Sequence, residues 1–293
     1  MPSAPPDIAL LTNPTAGKGR GARARTQALA RFRAAGRRVR DLQGADADQA
    51  LELAEQAVRD GVSSLVVVGG DGMVHLGAQA CASSATTLGV IPAGTGNDFA
   101  RYLDVPRTDT LAAADRILAG RTRSVDVVTS GGRHFVTVLA AGFDALVNER
   151  ANRMRWPRGQ MRYNLATLLE LRTLQPVPYS LELDGVRHEI EAVLVAVGNG
   201  PSFGGGLRIT EGAAIDDGLL DVVIIGPLSR RELARTYPKL FSGTHVTHPQ
   251  YSHHRLTSVT VGAPGITAYA DGERFGRLPL TLTCSAGALR VHH

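Results

Sequence analysis

The sequence predicts a two-domain α/β protein: an N-terminal three-layer αβα open sheet followed by a C-terminal β-rich, sandwich-like domain. Three observations carry that expectation. Runs of branched apolar residues, Leu65-Val66-Val67-Val68 being the clearest, read as parallel strands covered by helices on both faces. Helical stretches alternate with such runs as far as about Arg123, the pattern of βαβ units. After Gly120 the chain turns to many short strands, several alternating apolar and polar residues as half-buried antiparallel strands do. The boundary is placed between 125 and 126, giving domains over 1–125 and 126–293, with the final strands free to pack back on the first domain.

The elements follow in order. Ile8 to Thr12 is the first strand, and it ends in Asn13-Pro14-Thr15-Ala16-Gly17-Lys18-Gly19. Gly21 to Arg33 is Ala- and Arg-rich with Leu29 and Phe32 at helical spacing, and a short strand covers Val39 to Leu42. Asp48 to Arg59 places Leu51, Ala54 and Val58 on one helical face and carboxylates on the other. The Leu65 strand ends in Gly69-Gly70-Asp71-Gly72, followed by a helix from about Met73 to Cys81. Leu88 to Ile91 runs into Pro92-Ala93-Gly94-Thr95-Gly96-Asn97-Asp98, where another helix opens. Thr108 to Ala119 reads as a helix capped by Asp109 or Thr110. Beyond it, strands are expected over 125–128, 135–139, 180–183, 191–197, 219–225, 258–261, 267–270 and 280–284, with helices over 161–174 and 229–240.

Bulk properties narrow the class. With 293 residues the chain can bury a substantial core. No apolar stretch reaches the length of a membrane span, and Met1 to Pro6 lacks the basic start and apolar core of a signal peptide. The two cysteines, Cys81 and Cys284, fit a reducing cytoplasm better than a disulfide scaffold. A formal charge of +5 suits anionic partners. The pairs His245/His248 and His253/His254 read as surface loop, for want of a neighbouring cysteine or carboxylate.

Chemistry concentrates where three strands end in Gly-rich polar loops. Such loops offer backbone N–H groups to phosphate oxygens, helped by the following helix N-terminus. Lys18 and Arg20 could add charge there. Asp71, Asp98 and Asp126 fall at or near the carboxyl ends of strands, where open α/β sheets bind ligands, and are expected to converge on one crevice. Asp271-Gly272-Glu273 follows a strand, and Asp-Gly is the commonest hairpin signal.

In this order and spacing, Asn13 to Gly19, Gly69 to Gly72 and Pro92 to Ala100 resemble the catalytic domain of the diacylglycerol kinase family, whose members include sphingosine and ceramide kinases. The likeness extends over nearly the whole chain through Asn199 to Gly206 and Ala213 to Asp221. It implies an ATP- and Mg2+-dependent lipid kinase that phosphorylates the hydroxyl of diacylglycerol or a related lipid, with an NAD kinase/diacylglycerol kinase-like fold. ATP would lie against Asn13, Pro14, Thr15, Ala16, Gly17, Gly69, Gly70, Asp71, Gly72, Met73, Gly94, Thr95, Gly96 and Asn97. Asp71, Asp98 and Asp126 would hold the catalytic Mg2+. Asp217, with the carbonyls of Ala214 and Leu219, would hold a structural one. Glu273 would be the proton acceptor, with Asp271 supporting or replacing it and Asp71 as rival. The resemblance further implies a cytoplasmic enzyme visiting the inner membrane face for its lipid; no nucleic-acid partner is expected, and a homodimer is left open. Arg150 to Tyr163, basic around Trp156, could dock on headgroups.

Three departures stand out. The family's turn ends in Thr and continues with Asn-Glu, whereas Met73, His75 and Leu76 occupy those places here. They keep two other readings open: a kinase of a soluble substrate, as in NAD kinases, and a catalytically silent nucleotide or lipid sensor.

Overall fold

A computed structural model of the chain describes residues 7–142, 147, 150, 153–154 and 175–293. The expected helix at 161–174 lies outside the described residues, as does most of the basic stretch around Trp156. Contacts divide the chain into two units, one running to Val127 and including Ala286–His293, the other Val128–Ser285.

The first unit is built on a parallel sheet. Strands β1 (Ile8–Thr12), β2 (Val39–Leu42), β3 (Ser64–Gly69) and β4 (Thr87–Pro92) lie in the order β2-β1-β3-β4. Every residue of β1, β3 and β4 is buried, which explains their unbroken apolar runs. Among the helices, α1 (Ala16–Ala34) packs with α5 (Thr110–Leu118), and α2 (Ala47–Arg59) packs with α3 (Asp71–Cys81). The short α4 (Asp98–Tyr102) follows β4. Caps are placed by local chemistry: Asp46 accepts from Gln49 N, and Asp109 from Leu111 N and Ala112 N at 3.0 Å. The end of a long strand, β16 (Leu280–His292), lies parallel beside β4 through Val291 and Leu88. The opening of β5 (Thr122–Ser130) pairs with it.

The second unit holds two antiparallel layers. One sheet runs β12 (Tyr251–Leu256), β11 (Leu220–Ile225), β10 (Leu194–Gly198), β7 (Val138–Gly142), β14 (Thr267–Ala270), β15 (Glu273–Arg277). The other joins the first part of β16 to β13 (Ser258–Gly262), β8 (Val177–Leu183) and β9 (Val186–Ala192). Leu139, Val195, Val197 and Val222 from one sheet meet Tyr179, Leu181, Val259 and Leu282 from the other in a single core. The alternate residues of the first sheet, Ala140, Ala196 and Val223, face Leu228 and Leu233. Leu233 belongs to α6 (Arg230–Thr236), which a Ser229/Glu232 capping box starts and 3-10 turns at Tyr237–Leu240 and Thr244–Thr247 follow.

Several expected elements change here. The strand expected over 135–139 is two, β6 (Arg133–Phe135) and β7, broken at Val136 and Thr137. The run 191–197 is also two, because the chain steps from β9 to β10 at Val193. His245 is not on the surface: it is buried, with Nε2 3.2 Å from Ile209 O, and burial lowers its pKa. His253 and His254 lie on β12, and His253 does have an acidic neighbour, Asp221, at 2.7 Å. The described residues contain no group of three His, Cys, Asp or Glu able to hold a metal.

His292 ends β16, 8% exposed, with Nε2 2.9 Å from Ser64 Oγ. Burial pushes its pKa down to about 4 from 6.5. Between those values the unfolded chain binds the extra proton and the folded chain does not, so stability rises with pH across that window. Thermal melts from pH 4 to 7 should show Tm climbing through it, with a shallower slope in His292→Gln; equal slopes would remove His292 as the cause.

Candidate active site

The glycine loops at the ends of β1, β3 and β4 are locked to one another, the last two by a carboxylate and the first by an arginine. Asp71 follows the β3 turn and opens α3. Its Oδ2 accepts from Asn97 N and its Oδ1 from Asp98 N, both at 2.8 Å. The loop after β4 is thereby tied to the turn after β3. Asn97 is left-handed at φ 54°, and its side chain closes a ring with Gly94, accepting from Gly94 N at 3.1 Å and donating to Gly94 O at 3.0 Å. Ala93 N and Gly94 N both donate to Gly69 O, at 2.7 and 3.1 Å.

Close backbone approach explains the glycines. A Cβ on Gly94 would overlap Gly70 Cα, and one on Gly17 would overlap Ala93 O. The first loop joins in through Arg20, whose Nε donates to Gly17 O at 3.2 Å and Nη2 to Gly94 O at 2.6 Å. Arg20 is therefore a staple between the first and third loops, where the sequence suggested only added charge. Asn13 accepts from Thr15 N at 3.0 Å and Thr15 Oγ1 at 2.8 Å. Gly17, Lys18 and Gly19 are all left-handed, at φ 57°, 62° and 91°. For Lys18 that conformation costs on the order of 1 kcal/mol or more, held by neighbours that glycine makes compliant.

Met73 and His75 turn inward. Both are buried, and Met73 packs on Gly69, where an added Cβ would meet its Cγ. The position that is Thr in the family thus presents no hydroxyl to the loops.

The three carboxylates do not converge as expected. Asp71 and Asp98 adjoin, and Asp98, 2% exposed, is paired with Arg101. Asp126 is elsewhere. It sits in the middle of β5, not at a strand end, and accepts from Gly287 N at 2.7 Å. The next residue, Ala288, accepts from Ser83 N, just past the C-terminal end of α3, whereas Asp71 opens the N-terminal end. An 11-residue helix is about 16 Å long. Asp126 is therefore removed from the catalytic metal set, because β5 runs antiparallel along β16 and carries it to the far end of α3.

In the second unit Asp271 and Gly272 form a two-residue turn with φ 54° and 83°, between β14 and β15, the type I′ hairpin that the Asp-Gly pair predicts. Asp271 is 4% exposed. Its Oδ1 accepts from Thr137 N at 2.9 Å and Thr137 Oγ1 at 2.6 Å, and both oxygens lie 3.3 Å from Val136 N. This carboxylate makes the break between β6 and β7 and fixes the turn that presents Glu273, which is exposed.

The structural Mg2+ expected at Asp217, Ala214 and Leu219 does not fit. Asp217 Oδ1 accepts from Leu219 N at 3.0 Å, and Oδ2 is paired with the Arg255 guanidinium. A cation already occupies that carboxylate. The first-unit loops do fit a nucleotide: side-chain-free backbone and the α3 N-terminus suit phosphates. Asp71 accepts one backbone N–H on each oxygen and keeps a lone pair there, a hard donor of the kind Mg2+ takes, whereas Asp98, like Asp217, is already paired with an arginine.

Glycine loops clasped at the ends of parallel strands, with carboxylates at their base and a β-sandwich unit following, define an α/β phosphotransferase. The comparisons say which. The model of the diacylglycerol kinase catalytic domain matches residues 7–130, and that of the YegS C-terminal NAD kinase beta sandwich-like domain matches 137–293. A diacylglycerol kinase of Mycobacterium tuberculosis is 42% identical over 290 residues, covering 97% of this chain and 94% of the relative. One of Bacillus subtilis is 28% identical, covering 92% and 90%. A crystal structure of a diacylglycerol kinase from Bacillus anthracis matches with TM-score 0.75 at 23% identity, covering 98% and 96%, which shows the fold. The chain belongs to the diacylglycerol kinase family, phosphotransferases with an alcohol acceptor.

The Arg20 staple has a direct test. Arg20→Ala should weaken binding of a non-hydrolysable ATP analogue by about tenfold, the worth of one charge-assisted hydrogen bond, with Tm nearly unchanged. Wild-type affinity would show that the loops close without it.

Proposed function

We propose that this chain transfers the γ-phosphoryl group of ATP to the hydroxyl of diacylglycerol or a closely related lipid. The observation that supports the reading is the clasp of the glycine loops, the last two by Asp71 and the first by Arg20, in a chain with 42% identity to a diacylglycerol kinase over nearly its whole length.

Each residue has a part in this reading. The backbone of Gly17, Gly70, Gly72 and Gly94 lies against the phosphates, and the α3 N-terminus opposes their charge. Bound Mg2+ supplies charge neutralisation at the transferred group. Asp71 would hold it, while also keeping Asn97 in its left-handed turn; Asp98 is already met by Arg101. Glu273 takes the proton as the lipid oxygen attacks phosphorus; the bond from phosphorus to the bridging oxygen breaks and ADP leaves with that electron pair. Asp71 is the poorer base, since both its oxygens already accept N–H groups.

The lipid is met at a membrane surface. No helix among the described residues is long and apolar enough to cross a membrane, so contact would be peripheral, and the net charge of +5 favours an anionic face.

Labelled ATP with diacylglycerol in mixed micelles should yield phosphatidic acid. Glu273→Gln should lower kcat by roughly 10²–10⁴, the usual loss of a general base, with the fold intact. Transfer to NAD but to no lipid, or undiminished turnover in Glu273→Gln, would overturn the substrate or the base respectively.

A further inference from the structure

We propose that the Arg255 guanidinium takes the place of a divalent cation at the Asp217 turn, so that this part of the second unit is held by a built-in charge and not by a bound metal. The family resemblance calls for a metal there, and the residues of this chain argue against it. Pairing of β11 with β12 sets Arg255 directly opposite Asp221. From there the guanidinium reaches two carboxylates. It pairs with Asp217, and its Nε lies 3.7 Å from Asp221 Oδ1.

Asp221 makes the arrangement hard to exchange. It is fully buried on the face of the sheet that carries Val223. Its Oδ1 receives His253 Nε2 at 2.7 Å, while Oδ2 has no hydrogen-bond partner among the described residues. A buried carboxylate is tolerated only with charge and donors close by. A dication at Asp217 would have to displace the guanidinium from that pocket of negative charge, or sit against it and be repelled. The other oxygen of Asp217 already faces the Leu219 N–H, so the turn is internally closed. The arginine also has an advantage of its own: its charge does not titrate in the range where proteins work, and its binding needs no free ion.

Melting of the nucleotide-free full chain tests this, with metal content measured by mass spectrometry after dialysis. Wild-type Tm should be the same in EDTA and in millimolar Mg2+, with no stoichiometric metal retained. Arg255→Ala should melt roughly 2–4 °C lower in EDTA, the scale expected for losing a half-exposed ion pair in a chain of this size. Mg2+ should then raise the Tm of that variant, because the freed Asp217 can bind it, and the added Asp217→Asn change should abolish the gain. A wild-type Tm that falls in EDTA and recovers in Mg2+, with the response lost in Asp217→Asn, would overturn the proposal, as would an Arg255→Ala melt unchanged in both media. If Arg255→Ala does not fold, the wild-type comparison decides, with Arg255→Lys expected to remain indifferent to metal. None of these outcomes bears on lipid phosphorylation, which is tested separately.

Discussion

A carboxylate with one backbone N–H on each oxygen is what the loop cluster of the first unit depends on. The bonds from Asp71 to Asn97 and Asp98 add a side-chain tie to the backbone bonds by which the loop after β4 reaches Gly69 O. They also support the left-handed Asn97 against its cost. The glycines follow from the same clasp. They let backbone meet backbone at Gly70 and Gly94, and at Gly17 and Ala93, which leaves the loop surface to N–H groups. The charge of Asp71 is thus used twice, for architecture and, in the proposed reading, for the metal.

The second unit repeats the device with another acid. Asp271 captures the N–H groups of Val136 and Thr137, and the Thr137 carbonyl in turn accepts from Asn199 N and Gly200 N, at 2.8 and 3.1 Å. One buried carboxylate therefore links the β14–β15 hairpin, the β6–β7 break and the end of β10. In both units an aspartate that the family motif makes conspicuous organises backbone.

Much of this was legible in the sequence. Apolar runs that are buried on both faces are unambiguous, and β1, β3 and β4 fall where the runs place them. The Asp-Gly turn was readable from its dipeptide alone. Polar edge strands were not. Tyr251 to Leu256 reads as a loop because His253, His254 and Arg255 interrupt it, yet it forms β12 at the sheet edge by pairing with β11. Val186 to Ala192, largely exposed, becomes β9 on similar grounds.

The site showed the same division. The loops themselves were legible by residue type, because glycine and asparagine at strand ends mark turns. Relations across distant sequence were invisible: Arg20 reaching Gly94, Asp271 reaching Thr137, Arg255 reaching Asp217. Asp126 misled for that reason. Its strand looks like the next in the parallel series, and only the return of β16 beside β4 reveals that β5 runs the other way.

The most direct measurement is titration of a non-hydrolysable ATP analogue into Asp71→Asn without Mg2+. A carboxamide can accept only one of the two N–H groups and sets its own NH2 against the other. If Asp71 builds the loop cluster, affinity should fall at least tenfold even with no metal present, a loss of about 1.4 kcal/mol, while the chain stays folded. Wild-type affinity under those conditions would contradict the account and leave Asp71 a role confined to metal or proton.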